Sequence, residues 1–287
     1  EIVDGLGTLH RIGTWATGRA PGLRHFGPDV MGPFLGDCGA FGIKTKAVLP
    51  LIPTPATAEF ASFAFDDAQD VLGAMARLAD VPHLSEVWAM DRVAHANLDA
   101  GGFSVLETAQ MASDVAGGAG SLTAAARHLV SAARMRRAVL RDLAWSLHVV
   151  IEPPLAGLTA PVQAAVDAAA QAANGTGIPD TIPRVTRARP FRTIKALIGP
   201  TGERWLPCHA VFPARHAARG LEAARAVLHT QDTALAAQGI RVTHLLAAVG
   251  GDILVEPQFF WPDSLSAFQA AYSPPAQADP HRNAPEN

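Results

Sequence analysis

Residues 29–53, DVMGPFLGDCGAFGIKTKAVLPLIP, constrain the chain more than any other stretch. An apolar run at 30–35 leads into Gly36-Asp37-Cys38-Gly39-Ala40-Phe41-Gly42. A strand is expected to follow at 43–51, with Lys44 and Lys46 alternating against Ile43, Thr45 and Ala47. Three glycines within seven residues let the backbone bend tightly and lie against something flat or bulky. A plain helix-turn-strand corner, with glycines placed for packing, meets the same spacing, so spacing alone leaves both readings open.

Length and composition set the outer bounds. With 287 residues the chain can bury a core of one large or two smaller domains. Hydrophobic residues at 49% and charged residues at 17% describe a globular, rather apolar protein. A formal net charge of −3 offers no electrostatic case for nucleic acid. Cys38 and Cys208 make neither a disulfide framework nor a metal-ligand spacing, so a reducing, cytoplasmic setting is expected. No run approaches the roughly 18 apolar residues of a membrane span. The chain opens at Glu1 in a strand-turn-strand pattern, which leaves targeting by an earlier segment open.

Taken in order, residues 1–13 alternate as a hairpin around Asp4-Gly5-Leu6-Gly7. Residues 14–28 form a Gly/Pro-rich loop carrying Trp15, Arg19, Arg24 and His25. Pro50, Pro53 and Pro55 mark a boundary. A strand is expected at 57–65, an N-cap at Asp66, and a helix at 68–79 with Val71, Leu72, Met75 and Leu78 inward. An extended segment at 82–90 precedes a glycine-rich loop at 97–120 and a basic helix at 122–140, read as a solvated face. Then come a strand at 145–151, a helix at 159–173, and an irregular stretch at 175–199 rich in arginine. A strand at 205–212, one long helix at 215–237 and strands at 240–248 and 253–261 complete the pattern. Residues 273–287 read as a disordered tail or linker. The recurring strand-helix-strand order indicates an α+β fold: split β-α-β units forming an antiparallel sheet with helices on one face.

The stretch Gly36-Asp37-Cys38-Gly39-Ala40-Phe41-Gly42-Ile43-Lys44-Thr45-Lys46-Ala47-Val48-Leu49 resembles the FAD-linked oxidases of the vanillyl-alcohol oxidase and D-lactate dehydrogenase type. It departs from that pattern at Asp37 and Cys38, where the family usually carries a small residue and Glu. The resemblance implies that residues 1–53 are the C-terminal part of an FAD-binding domain of the PCMH type. It implies a substrate or cap domain at 54–272, of ferredoxin-like character. It also implies that the N-terminal pyrophosphate-binding subdomain and the C-terminal segment of such a protein lie outside this sequence, and that this chain alone is inactive. The cofactor implied is FAD, contacted by Gly36, Asp37, Cys38, Gly39, Gly42 and Ile43. The reaction implied is oxidation of a small 2-hydroxy acid, of D-lactate or glycolate type, by hydride transfer to the flavin. Aryl or alkyl alcohol oxidation is the alternative, and an inert binding module is a third reading. The electron acceptor is left open among oxygen, a quinone and a cytochrome.

Two side chains carry the expected substrate chemistry. Arginine grips a carboxylate through two parallel hydrogen bonds, and Arg192, just before the apolar run at 194–198, is the leading candidate, with Arg184 second. His209, a polar residue in the apolar setting of 205–212, is the candidate base for a hydroxyl proton. His148 has the same form within 145–151, and His244 lies near a strand end; both rank below His209. No metal is expected, because Asp252 and Glu256 stand without the histidine that accompanies the family's metal-binding turn.

Overall fold

The computed structural model describes residues 1–20, 22, 24, 25, 27–55, 57–100, 143–188 and 203–261. The chain divides into two compact units, Glu1–Thr54 and Pro55–Asn287.

The first unit holds a three-stranded antiparallel sheet in the order β2-β1-β3, with β1 at Ile2–Val3, β2 at Leu9–His10 and β3 at Ile43–Lys44. Asp4 builds the β1–β2 turn: its carboxylate accepts the amides of Leu6 and Thr8, each at 2.9 Å. The expected strand at 43–51 is much shorter than its alternation suggested. Its length is set by β1, which offers Ile2 opposite Lys44 and Val3 opposite Ile43. Thr45 and Lys46 then donate to the Glu1 carbonyl, and the residues after them have no strand partner. The apolar run at 30–35 becomes a short 3-10 turn at Gly32–Phe34. Gly42 is held where no other residue fits: its φ is +133°, and a Cβ there would lie 2.5 Å from the Val3 carbonyl oxygen.

Among the described residues the second unit is built on one eight-stranded antiparallel sheet. Its strands are β4 (Glu59–Phe65), β5 (Leu84–Asp91), β6 (Trp145–Ile151), β7 (Thr176–Ile178), β8 (Arg204–Pro207), β9 (Ala210–Pro213), β10 (Arg241–Val249) and β11 (Asp252–Trp261). They run in the order β7-β4-β6-β5-β10-β11-β8, and β9 also pairs with β11. Among the described residues the helices are α1 (Ala68–Leu78), α2 (Arg92–Ala100), α3 (Thr159–Gln171), α4 (Thr181–Ala188), α5 (Ala217–His229) and α6 (Asp232–Ala237).

Strand alternation sorts the sheet into two faces. Ala61, Phe63 and Phe65 of β4, Trp145, Leu147, Val149 and Ile151 of β6, Val87 and Ala89 of β5, and Leu246 of β10 share one core. Onto it α1 packs Val71, Leu72, Met75 and Leu78, α3 packs Val162 and Val166, and α5 packs Leu221. The N-cap of α1 is Asp67, whose carboxylate accepts the Gln69 amide, rather than Asp66.

Three further expectations need correction. Helices are not confined to one face: α2 and α4 reach the other, where His95 bonds Ser146 and Arg184 lies over the Phe60 ring. The helix at 215–237 is a 3-10 turn at Ala214–His216 followed by α5 and α6. It breaks at Thr230, whose hydroxyl donates to the Val227 carbonyl, and at Gln231. The stretch at 175–199 contains regular structure in β7 and α4. The expected helix at 122–140 and the expected tail at 273–287 lie outside the described residues. Among the described residues no helix is long and apolar enough to cross a membrane.

Candidate functional site

Two places carry the residues that the sequence singled out, one in each unit. The first is the glycine corner. Gly36, Gly39 and Gly42 have φ of +71°, +85° and +133°, and Cys38 between them stands at +50°. A Cβ at Gly36 or Gly39 would meet nothing within 4 Å, so the backbone is bare on that side. Leu35, Phe41 and Ile43 around it are exposed. The Asp37 side chain is buried in the turn. Its carboxylate accepts the amides of Gly39 at 3.2 Å and Phe41 at 3.1 Å and pairs with the Lys44 ammonium. The Cys38 thiol is free, exposed, and 3.9 Å from the Gly36 carbonyl oxygen.

The second place is the face of the large sheet opposite α1, α3 and α5. Cross-strand registers lay out two neighbouring rows. One runs Ser62, His148, Trp88, Ala247, Leu254, Val211. The other runs Ala64, Ser146, Met90, Leu245, Glu256. Pro207 opposite Gln258 and Ala210 opposite Val255 keep one register, which sets His209 against Glu256 at the end of the second row. The strand expected at 205–212 therefore holds its register but lapses as a ladder at Cys208 and His209.

Burial grades along these rows. At the β4–β6 end Ser62, Ser146 and His148 are buried. Toward β9, Val211 is 48% exposed. The His209 ring is 55% exposed, with Nδ1 3.4 Å from Glu256 Oε2, and the Glu256 side chain is only 12% exposed. The Gln258 side-chain amide donates to Glu256 at 2.6 Å.

The buried end is a continuous polar chain. Ser62 Oγ lies 2.9 Å from His148 Nδ1, His148 Nε2 lies 2.8 Å from Ser146 Oγ, and Ser146 Oγ lies 2.7 Å from His95 Nε2. The Trp88 and His148 rings stand 4.5 Å apart between centroids. Burial pushes the pKa of His148 down to about 3, and the neighbouring His95 adds to the effect. Burial also lowers that of His95, against the opposing pull of the Leu143 carbonyl and Asp91. The His148 ring is therefore neutral at ordinary pH and can pass hydrogen bonds between Ser62 and Ser146 without carrying charge.

Beside it Asp91 collects four donors: Thr243 Oγ1 at 2.6 Å, the His244 amide at 2.8 Å, His244 Nδ1 at 3.0 Å and the Ala94 amide at 3.0 Å. Burial works to raise its pKa, but the bonds from His244, Thr243 and Ala94 outweigh it and hold the carboxyl below its usual range. Sequence reasoning missed Asp91, His95, Ser62 and Ser146. The local signals were the pair of polar residues two apart in WSLHVVI, which alternation places on one face, and the position of Asp91 just before α2.

The arginine-rich stretch divides. Arg184 pairs with Asp180 and Glu59, and Arg187 makes a two-pronged bond to Glu152 while also reaching Glu86. Both already hold carboxylates of this unit. Arg192 lies outside the described residues. Among the described residues no group of three or more His, Cys, Asp or Glu is placed to hold a metal ion.

No family model matches the chain, and no curated protein is similar to it. Solved structures are. Alkyldihydroxyacetonephosphate synthase, in two crystal forms, superposes with TM-scores of 0.50 and 0.52 at 12% identity. The match covers 82% and 94% of this chain but 42% and 45% of the synthase. A 4-ethylphenol oxidase from Gulosibacter chungangensis, in complex with isoeugenol, aligns at 15% identity and a TM-score of 0.48, over 91% of this chain and 50% of that one. The chain thus spans less than half the length of the synthase and shares its fold.

Proposed function

We propose that the chain is part of a flavin-dependent oxidoreductase. Residues 1–53 would contribute the second half of an FAD site, and residues 54–272 would form the substrate domain. The observation that carries this reading is the glycine corner. Its ordered match to the FAD-linked oxidases is accompanied by left-handed φ at all three motif glycines, conformations that side chains rarely adopt. The fold shared with the synthase supports it. The corner also suits a flat ligand, since its backbone is bare at Gly36 and Gly39 and apolar side chains surround it.

A bound flavin would supply acceptance of a hydride from the substrate carbon. The chain's own residues would bind, orient and take up a proton. Arg192 is assigned the carboxylate of a small 2-hydroxy acid. His209 is assigned the hydroxyl proton through Nε2, with Glu256 facing Nδ1. The aryl or alkyl alcohol alternative is favoured by the open half of the sheet face, where Trp88, Leu245, Leu254 and Val211 offer an apolar floor.

The deciding experiment is an absorption spectrum of the protein purified from its own cells, before and after addition of candidate substrates. Flavin bleaching by D-lactate or glycolate supports the hydroxy-acid reading. Bleaching by aryl alcohols alone replaces it with the alternative, and absence of flavin removes both. On the same protein, Arg192→Lys is expected to weaken acid binding about tenfold or more, which corresponds to one two-pronged bond at roughly 1.4 kcal/mol or above.

A further inference from the structure

Pro257, between Glu256 and Gln258 in β11, accounts for the place where the sheet edge opens. The Cys208 amide donates to the Pro257 carbonyl at 2.9 Å. In an antiparallel ladder a pair joined this way exchanges two bonds. The second would run from the amide of residue 257 to the Cys208 carbonyl, and proline has no amide hydrogen. The ladder therefore lapses between Pro207 and Ala210, although Pro207 opposite Gln258 and Ala210 opposite Val255 keep its register. Glu256 and His209 face each other inside that lapse. Because Cys208 and Pro257 form the bonded kind of pair, their neighbours form the other kind, whose side chains lie closer.

Glu256 and Gln258, two apart on β11, share one face of the sheet. The Gln258 side-chain amide donates to Glu256 Oε1 at 2.6 Å, and Glu256 Oε2 stands 3.4 Å from His209 Nδ1. One oxygen of the carboxylate is held along the strand, and the other is left for the ring across it. The Glu256 side chain is 12% exposed, whereas that of His209 is 55% exposed. The fixed partner is thus the buried one, and the ring it faces is open to solvent. A carboxylate only accepts, so a neutral ring facing it carries its proton on Nδ1 and keeps the lone pair on Nε2. Free histidine prefers the opposite arrangement.

We propose that Gln258 is a positioning residue for His209. By holding Oε1 of Glu256 it aims Oε2 at Nδ1, and so selects the ring form whose Nε2 can take up a proton. Pro257 supports this by keeping the facing backbone out of the ladder. The proposal rests on the assignment of His209 as the base and deepens it. Gln258 acts through Glu256 and is assigned no contact with substrate.

The test reads the tautomer of His209 through ring nitrogen-15 shifts in the 287-residue chain, at a pH where the ring is neutral. His209→Gln identifies its signals among the 11 histidines. The Nδ1–H form is expected to predominate in the unaltered chain. Gln258→Leu should lower the ratio of the Nδ1–H to the Nε2–H form about threefold or more, the equilibrium effect of one net hydrogen bond. Gln258→Lys, which keeps a donor of similar reach, should restore most of it. Gln258 is only half-buried, and unchanged amide shifts at Leu246 and Ile253 verify that each variant is folded. A ring found in the free-histidine form overturns the proposal, and so does a ratio unchanged in Gln258→Leu. In the protein purified with its flavin, Gln258→Leu should lower kcat about fivefold or more at unchanged KM. A raised KM with unchanged kcat makes Gln258 a substrate contact and overturns the positioning role. Absence of flavin removes the base assignment but leaves the tautomer result standing, so the two failures are told apart.

Discussion

Asp91 and His244, 153 residues apart, are joined twice: Asp91 Oδ2 accepts both the His244 amide and its ring Nδ1. A carboxylate only accepts, so the ring Nδ1 donates to it, while Nε2 is buried with no hydrogen-bond partner among the described residues. The other carboxylate oxygen takes the Thr243 hydroxyl and the Ala94 amide. One side chain thus ties the end of β5 to the start of α2 and to β10. That corner of the sheet sits beside the buried chain of His95, Ser146, His148 and Ser62, so Asp91 fixes the helix that presents His95.

Asp91→Ala removes one acceptor from four donors in a buried setting, and it does so without refilling the space. Breaking a buried, hydrogen-bonded pair from one side costs about 3–5 kcal/mol. Urea unfolding should show that loss as a lower midpoint at an unchanged slope. A change below about 1 kcal/mol would mean that Asp91 is hydrated and its bonds are marginal.

The neutral state of His148 makes stability depend on pH in a definite direction. Its folded pKa is about 3, against about 6.5 in an unfolded chain. The unfolded state therefore binds the proton more readily. The stabilisation is fully present above pH 6.5 and is lost as pH falls toward 3, at about 1.4 kcal/mol per pH unit. His95, also shifted down, acts with the same sign. Denaturant titrations at pH 7.5 and 5.5 should differ by about 1 kcal/mol or more. In His148→Gln that pH dependence should shrink, even if the variant is less stable throughout. An equal slope in both proteins would assign the acid sensitivity elsewhere.

Arg187 is a contrasting case. It holds Glu152 with two prongs, but its side chain is 39% exposed, and exposed ion pairs contribute about 0–1 kcal/mol. Arg187→Ala should lower stability by no more than about 1 kcal/mol. It should leave the affinity for a hydroxy acid unchanged, because its donors are already engaged. A fall in acid affinity, measured beside Arg192→Lys, would move the carboxylate-binding role from Arg192 to Arg187.

What was legible in the sequence followed locality. The two-residue alternation of 57–65 and 145–151 and the helical period of Val71, Leu72, Met75 and Leu78 are local and predicted their elements closely. The length of β3 was not local, because a strand extends only as far as its partner, and β1 is two residues long. The break at Thr230 turns on one hydroxyl competing for a carbonyl, which the apolar period of 215–237 does not register. His209 stood out as polar in an apolar run, but its partner Glu256 depends on a register between strands. Asp91 carried only the local mark of a helix cap, the Ala94 amide, while its other donors come from Thr243 and His244, more than 150 residues away. The glycine corner was readable because its requirement is conformational and lies within seven residues.

Two glycines of that corner separate the conformational requirement from the steric one. Gly39 has φ of +85° and open space where a Cβ would stand, whereas Gly42 has φ of +133° and would place a Cβ 2.5 Å from the Val3 carbonyl oxygen and 2.9 Å from Ile2 Cγ2. Gly39→Ala should cost about 1–2 kcal/mol, the usual strain of a left-handed alanine. Gly42→Ala must in addition push β3 away from β1, because the Val3 carbonyl belongs to the backbone and cannot rotate aside. Amide exchange at Val3 and Ile43, which face each other across β1 and β3, reads this directly. Gly42→Ala should abolish protection there, while Gly39→Ala leaves most of it. Equal loss in the two variants would mean that the corner is governed by backbone conformation alone and that close packing on β1 is incidental.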